Sequence, residues 1–140
     1  MVVDTSVLIS GFVFGGVPEK VVRKVFESAD IYVSPQLLKE YRDTPVELEI
    51  ESKITLTQLR ALLSGIAAFI SNAEVVSPEK ALYLCRDEKD NMVIECCVAA
   101  NADFLVTSDK DLLEIDKKEL KRVAPKLKII SPAVFLKIKN

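Results

Sequence analysis

The chain has 140 residues, about half of them apolar and over a quarter charged, as expected of one globular domain (residues 1–140) with a core of its own. Its 19 basic and 21 acidic residues leave a net charge of −2, which argues against a broad basic face for duplex nucleic acid. It contains no histidine. That excludes Ser-His-Asp triads, Cys-His pairs and histidine general bases, and counts against the common zinc sites.

Any chemistry must therefore come from carboxylates, hydroxyls, lysines or a metal. The three cysteines, Cys85, Cys96 and Cys97, are an odd number and form no C-x-x-C pair. They are expected to be reduced, small, buried apolar residues. No apolar run is long enough to span a bilayer, and no basic segment leads into an apolar one at the start. The expectation is a cytoplasmic protein without a membrane segment.

Met1 to Thr5 read as a short strand in which Val2 and Val3 run into Asp4. Ser6 to Phe14 stay apolar and begin a helix, which Gly15-Gly16-Val17-Pro18 interrupts. Val21, Val22, Val25 and Phe26 recur at helical spacing from Pro18 to Ser28. Ile31 to Val33 is a second strand. Ser34-Pro35 caps a helix with Leu37, Leu38 and Tyr41 inward, and Thr44-Pro45 is expected to break or bend it.

Thr55 or Thr57 caps a long helix with Leu59, Leu62, Leu63, Ile66, Ala67 and Ile70 inward. A strand at Ala73–Val76 precedes Ser77-Pro78, read as the cap of a short helix through Leu84. A helix from Asp87 to Asn101 leads to the strand Phe104–Thr107 and then a short helix opened by Ser108-Asp109. Asp116 to Arg122 reads as an exposed helix or loop, followed by a strand at Leu127–Ile130 and a helix through Ile138 capped by Ser131-Pro132. Alternating strands and helices imply a parallel sheet covered on both faces.

In such a sheet the C-terminal ends of the strands and the N-termini of the following helices share one edge. Asp4, Asp90 and Asp109 each stand at such a place, and Glu40 lies one to two turns into the helix after the second strand. Each has an ordinary explanation: an N-cap or first-turn acid for the aspartates, a solvated helix residue for Glu40. Together they mean more. Carboxylates sharing one cleft repel one another unless a cation neutralises them. Oxygen-only ligands select a hard ion, Mg²⁺ or Mn²⁺. Such an ion supports phosphodiester hydrolysis without histidine. Ser6, Thr107, Ser108 and Asp111 stand beside these acids as outer groups that could orient them. Asp87 reads as a helix cap, although it competes with Asp90 for the third acid position.

These residues resemble the motifs of the PIN-domain family, in particular its small single-domain toxin-like (VapC-like) members. The resemblance spans essentially the whole chain. It rests on Val3-Asp4-Thr5-Ser6-Val7-Leu8-Ile9, on Ser34 to Tyr41 with Glu40, on Arg86 to Asn91 with Asp90, and on Ala102 to Leu112 with Asp109 and a possible extra acid at Asp111. It implies a three-layer α/β/α sandwich with a central, mainly parallel sheet. It also implies Mg²⁺- or Mn²⁺-dependent endonuclease cleavage of single-stranded RNA, with Asp4, Glu40, Asp90 and Asp109 as metal ligands and catalytic acids.

The resemblance further implies a homodimer and an antitoxin protein as partner. Lys20, Arg23, Lys24, Lys53 and Arg86 are candidates for a basic rim along the RNA. A PIN scaffold that binds RNA or protein without cutting is the alternative. A receiver-like phosphoacceptor is disfavoured because Val2 and Val3, rather than a pair of acids, precede Asp4. Neither G-x-x-x-x-G-K-[ST] nor G-x-G-x-x-G occurs.

Overall fold

A computed structural model describes residues 1–28 and 30–138. Five short strands, β1 (Val2–Val3), β2 (Ile31–Val33), β3 (Ala73–Val75), β4 (Phe104–Val106) and β5 (Lys128–Ile130), are interleaved with helices. β1, β4 and β5 form one parallel ladder, with Val3 opposite Val106 and Val106 opposite Ile130. β2 and β3 form a second parallel ladder. The Tyr32 N–H donates to the Met1 carbonyl at 2.9 Å and joins the two edge to edge, giving the spatial order β3-β2-β1-β4-β5. The chain leaves β1 towards one side and returns with β4 on the other. The switch point, where α/β sheets open a crevice, thus lies between β1 and β4.

The helices are α1 (Thr5–Ile9), α2 (Val17–Ser28), α3 (Pro35–Ile50), α4 (Leu56–Ser71), α5 (Glu88–Ala100), α6 (Lys110–Leu113), α7 (Lys117–Val123) and α8 (Pro132–Lys137). They complete a three-layer α/β/α sandwich. α2 packs on α1 and α8, and α3 packs on α4 and α5. Their starts follow from side-chain caps. Ser34 accepts from the Leu37 N–H, Thr55 forms a reciprocal capping box with Gln58, and Ser131 accepts from the Val134 N–H. Lys24 donates to the carbonyls of Phe135 and Ile138 and lies 4.6 Å from the Phe135 ring centre, which ties α8 to α2.

Between α1 and α2, Ser10–Phe14 form a π-helical turn, closed by Gly15 N–H donating to Ser10 O at 3.1 Å. Gly15 and Gly16 follow with φ of 70° and 72°, a region where glycine carries no steric penalty.

Three expectations are corrected. Thr44-Pro45 does not break its helix: α3 runs through Pro45 to Ile50, and burial of the proline ring offsets the missing N–H. Ser77–Leu84 is not a helix. Side chains of α5 engage the backbone of this segment and of the residue after it: Glu95 accepts from Leu82 N–H at 2.9 Å, while Asn91 accepts from Cys85 N–H at 2.8 Å and donates to Cys85 O at 2.9 Å. On α4, Ala67 is exposed and Phe69 is buried in its place, continuing the 3-4-3 spacing of Leu59, Leu62 and Ile66.

Cys96 and Cys97 are buried as expected, and Cys85 is half-buried. Among the described residues no single helix is long and apolar enough to cross a membrane.

Candidate active site

Asp4 ends β1 and caps α1. Its Oδ1 accepts from the Thr5 N–H at 2.9 Å. Its Oδ2 accepts from the Thr107 hydroxyl at 2.7 Å and, at 3.4 Å, from Ser6. Thr107, fully buried just beyond β4, also accepts from the Asp109 N–H at 3.0 Å. One hydroxyl therefore fixes the carboxylate of the first strand relative to the backbone of the fourth. Asp109 caps α6 by accepting from Asp111 N–H at 2.8 Å.

Glu40 reaches the cleft from α3. The buried Thr5 hydroxyl donates to its Oε1. The next residue, Tyr41, is fully buried and its hydroxyl donates to the Val3 carbonyl, which pins α3 to the end of β1. Asp87 caps α5 by accepting from Lys89 N–H at 2.9 Å, and Asp90 sits in the first turn, nearly buried. Asp87 therefore plays the cap and Asp90 faces inward, as the helix phasing suggests.

Asp4, Glu40, Asp90 and Asp109 line a single open cleft of about 580 Å³, together with Thr5, Ser6, Ser108, Asp87 and Lys89. They do not all close on one ion-sized point. The tightest group is Asp90, Asp109 and Asp111, whose carboxylate oxygens lie within 4.8 Å of one another. Asp4 and Glu40 border the same cleft outside that trio. Asp111, read from the sequence as an outer group, is exposed and does not itself line the cleft, yet its carboxylate comes close to those of Asp90 and Asp109.

The electrostatics follow from the crowding. Desolvation pushes the Asp90 carboxyl up to about 6, and the negative charges of Asp109, Asp87, Asp4 and Asp111 reinforce it. Burial raises Asp4, opposed by the hydrogen bonds from Thr107 and Thr5 and reinforced by Asp109. Burial likewise raises Glu40; the Thr5 hydroxyl lowers it and the Asp4 charge raises it further. A divalent cation fits this donor set, which is oxygen-only and left with uncompensated negative charge.

Sequence reasoning missed two contributors. Thr5 orients Glu40 across 35 residues, and Lys89 is the one cation lining the cleft among the described residues. The only local signal for Thr5 is a hydroxyl directly after a strand-ending aspartate. Of the proposed basic rim, Arg23 pairs with Glu19, Lys53 with Glu51, and Lys24 holds α8; none of the five lines the cleft.

These features define an α/β/α domain with a carboxylate cleft at the switch point of its parallel sheet. The chain belongs to the PIN-domain family, whose sequence profile matches residues 1–111. It is 31% identical over 140 residues to the uncharacterised protein MJ1680 of Methanocaldococcus jannaschii, covering 97% of this chain and 88% of that one. Its fold is similar to a chain in the crystal structure of VapBC2 from Rickettsia felis bound to a DNA fragment from their promoter. The TM-score is 0.56 at 14% identity, over 93% of this chain and 96% of that chain. The identity is low enough that this second likeness is one of fold alone.

Proposed function

We propose that this chain is a Mg²⁺- or Mn²⁺-dependent endoribonuclease that hydrolyses phosphodiester bonds in single-stranded RNA. The observation that carries this reading is the meeting of Asp4, Glu40, Asp90 and Asp109 in one cleft, with Asp111 against two of them. These acids would hold the metal. Once bound, a divalent ion polarises a phosphoryl oxygen and lowers the pKa of water.

The chain's own groups supply the arrangement. Thr107 and Thr5 fix Asp4 and Glu40 by hydrogen bonds, and the caps at Asp109 and Asp87 set the openings of α6 and α5. Lys89 offers a positive charge to a phosphate at the cleft mouth. Family membership supports the nuclease reading; from the resemblance of its motifs to the VapC-like members we further read the chain as the toxin of a toxin–antitoxin pair, acting in the cytoplasm as a homodimer.

The test is cleavage of single-stranded RNA in Mg²⁺ or Mn²⁺ by wild type and Asp4→Asn. Metal-dependent cleavage that the substitution abolishes is the expected result. Equal cleavage by both proteins would refute the assignment of the site. Binding without cleavage in either metal would favour a non-cleaving scaffold.

A further inference from the structure

Phe14 is 69% exposed, yet it lines the cleft that holds the carboxylates. The other strongly exposed aromatic, Tyr83, lies outside that cleft, and Phe26 packs edge-on against Phe69. A ring that open contributes little to the core, so packing does not explain its position.

The backbone that carries Phe14 is firmly held. The ring of Phe12, two residues earlier, sits over Gly65 of α4 so closely that a Cβ there would stand 2.6 Å from it. Gly11 is pressed against α2, where a Cβ would meet Val22 Cγ2 at 2.9 Å and the Pro18 carbonyl oxygen at 3.0 Å. Immediately after Phe14 the chain turns through two glycines at positive φ. The π-helical turn thus holds the backbone at Phe14 where the residue lines the cleft while staying exposed, and turns of this kind recur at functional sites. Ile9 and Leu48 line the same cleft and add apolar surface beside the acids. The cleft is therefore amphipathic: carboxylates suited to a cation and phosphate, and an aromatic face suited to a base.

We infer that Phe14 is a stacking platform for a nucleobase of single-stranded RNA, next to the phosphate engaged at the acids. This rests on the nuclease reading for the identity of the polymer. Stacking on one aromatic face is tolerant of base identity, so Phe14 positions the strand rather than selecting a sequence. It would act in ground-state binding, and so in KM more than in kcat.

The chain contains no tryptophan, so Phe14→Trp installs a single fluorescent reporter at the proposed contact. The probes are short single-stranded oligoribonucleotides in Mg²⁺, titrated into Phe14→Trp carrying also Asp4→Asn so that they stay intact, one with all its bases and one of equal length with abasic positions at its centre. The expected result is quenching by the first and little by the second. Phe14→Ala should raise KM by roughly 5- to 100-fold with kcat little changed, and Phe14→Tyr should restore it. Circular dichroism of Phe14→Ala should match wild type, since the side chain is exposed. If wild type cleaves RNA but the two probes quench equally, or Phe14→Ala leaves KM unaltered, the stacking assignment is wrong and the nuclease reading survives. If base-dependent quenching occurs without cleavage by wild type, the stacking assignment stands and the nuclease reading falls.

Discussion

Thr107 holds the two halves of the cleft together. Its hydroxyl donates to Asp4 and accepts from the Asp109 backbone, so Thr107→Val removes both contacts with almost no change of shape. The Asp4 carboxylate would be left nearly buried and one donor short. We expect a loss of about 1–3 kcal/mol in chemical denaturation and a fall of about 10- to 100-fold in metal affinity or cleavage; a variant indistinguishable from wild type in both would remove Thr107 from the site.

Asp90 gives a pH dependence whose sign is fixed. Its folded pKa of about 6 lies above the ordinary carboxylate value of 3.8. Below pH ~4 it is protonated in both states and costs nothing. As pH rises, the unfolded chain ionises first, so stability falls until the folded carboxyl has also ionised, and the loss is complete above about 6. Asp4 and Glu40, also raised, act in the same direction. In EDTA, wild-type Tm should therefore drop between pH 4 and 7 relative to Asp90→Asn. Parallel Tm curves for the two proteins would contradict this origin.

At this scale the strand-ending and helix-opening acids were legible, because their neighbours mark where strands stop. The roles of Thr5 and Lys89 were not, although Thr5 stands in the first motif, because their partners are made by the fold.

The elements show where local rules yield to packing. Pro45 carries a breaker signal, but a buried proline ring inside a helix packed on its neighbours is tolerated. Ser77-Pro78 carries a start signal, but Asn91 and Glu95 engage the backbone downstream of it. Both errors share one cause: the competing partner is distant in sequence. The π-helical turn was readable only as a helix interrupted by glycines.

That turn depends on Gly65. Gly65→Ala would place a methyl against the Phe12 ring, and we expect a cost of about 1–3 kcal/mol from overpacking. The variant should also lose affinity for RNA before it loses the fold, as measured by binding titration beside thermal melts. An unaltered Tm would mean that Phe12 moves aside freely and that the turn is softer than its packing suggests.

For the molecule as a whole, alternation of strands and helices correctly announced the parallel α/β/α sandwich. The spatial order of the strands was not legible, since nothing in β1 or β4 names its neighbour; it is set by backbone pairing between segments distant in sequence. The order decides the site, because it puts the switch point between the strands bearing Asp4 and Asp109. The full molecule should therefore respond to a cation as one cooperative unit. Millimolar Mg²⁺ or Mn²⁺ should raise Tm, by an amount that grows with the logarithm of concentration above Kd. Equal ionic strength from NaCl should not reproduce the rise, and Asp109→Asn should abolish it. A Tm indifferent to divalent ions would count against metal binding in the cleft.

The hydrogen bond between Thr107 and Asp4 also has a consequence during synthesis. It joins residues 103 positions apart, and β1 has no partner on that side until residues 104–106 have been made. A chain halted before residue 104 already contains Asp4, Glu40 and Asp90, but lacks the strand that pairs with β1 on that side and the Thr107 hydroxyl from which Asp4 accepts. A product truncated there would also lack Ser108 and Asp109, so the carboxylate cleft is completed only late in synthesis, by the last third of the chain.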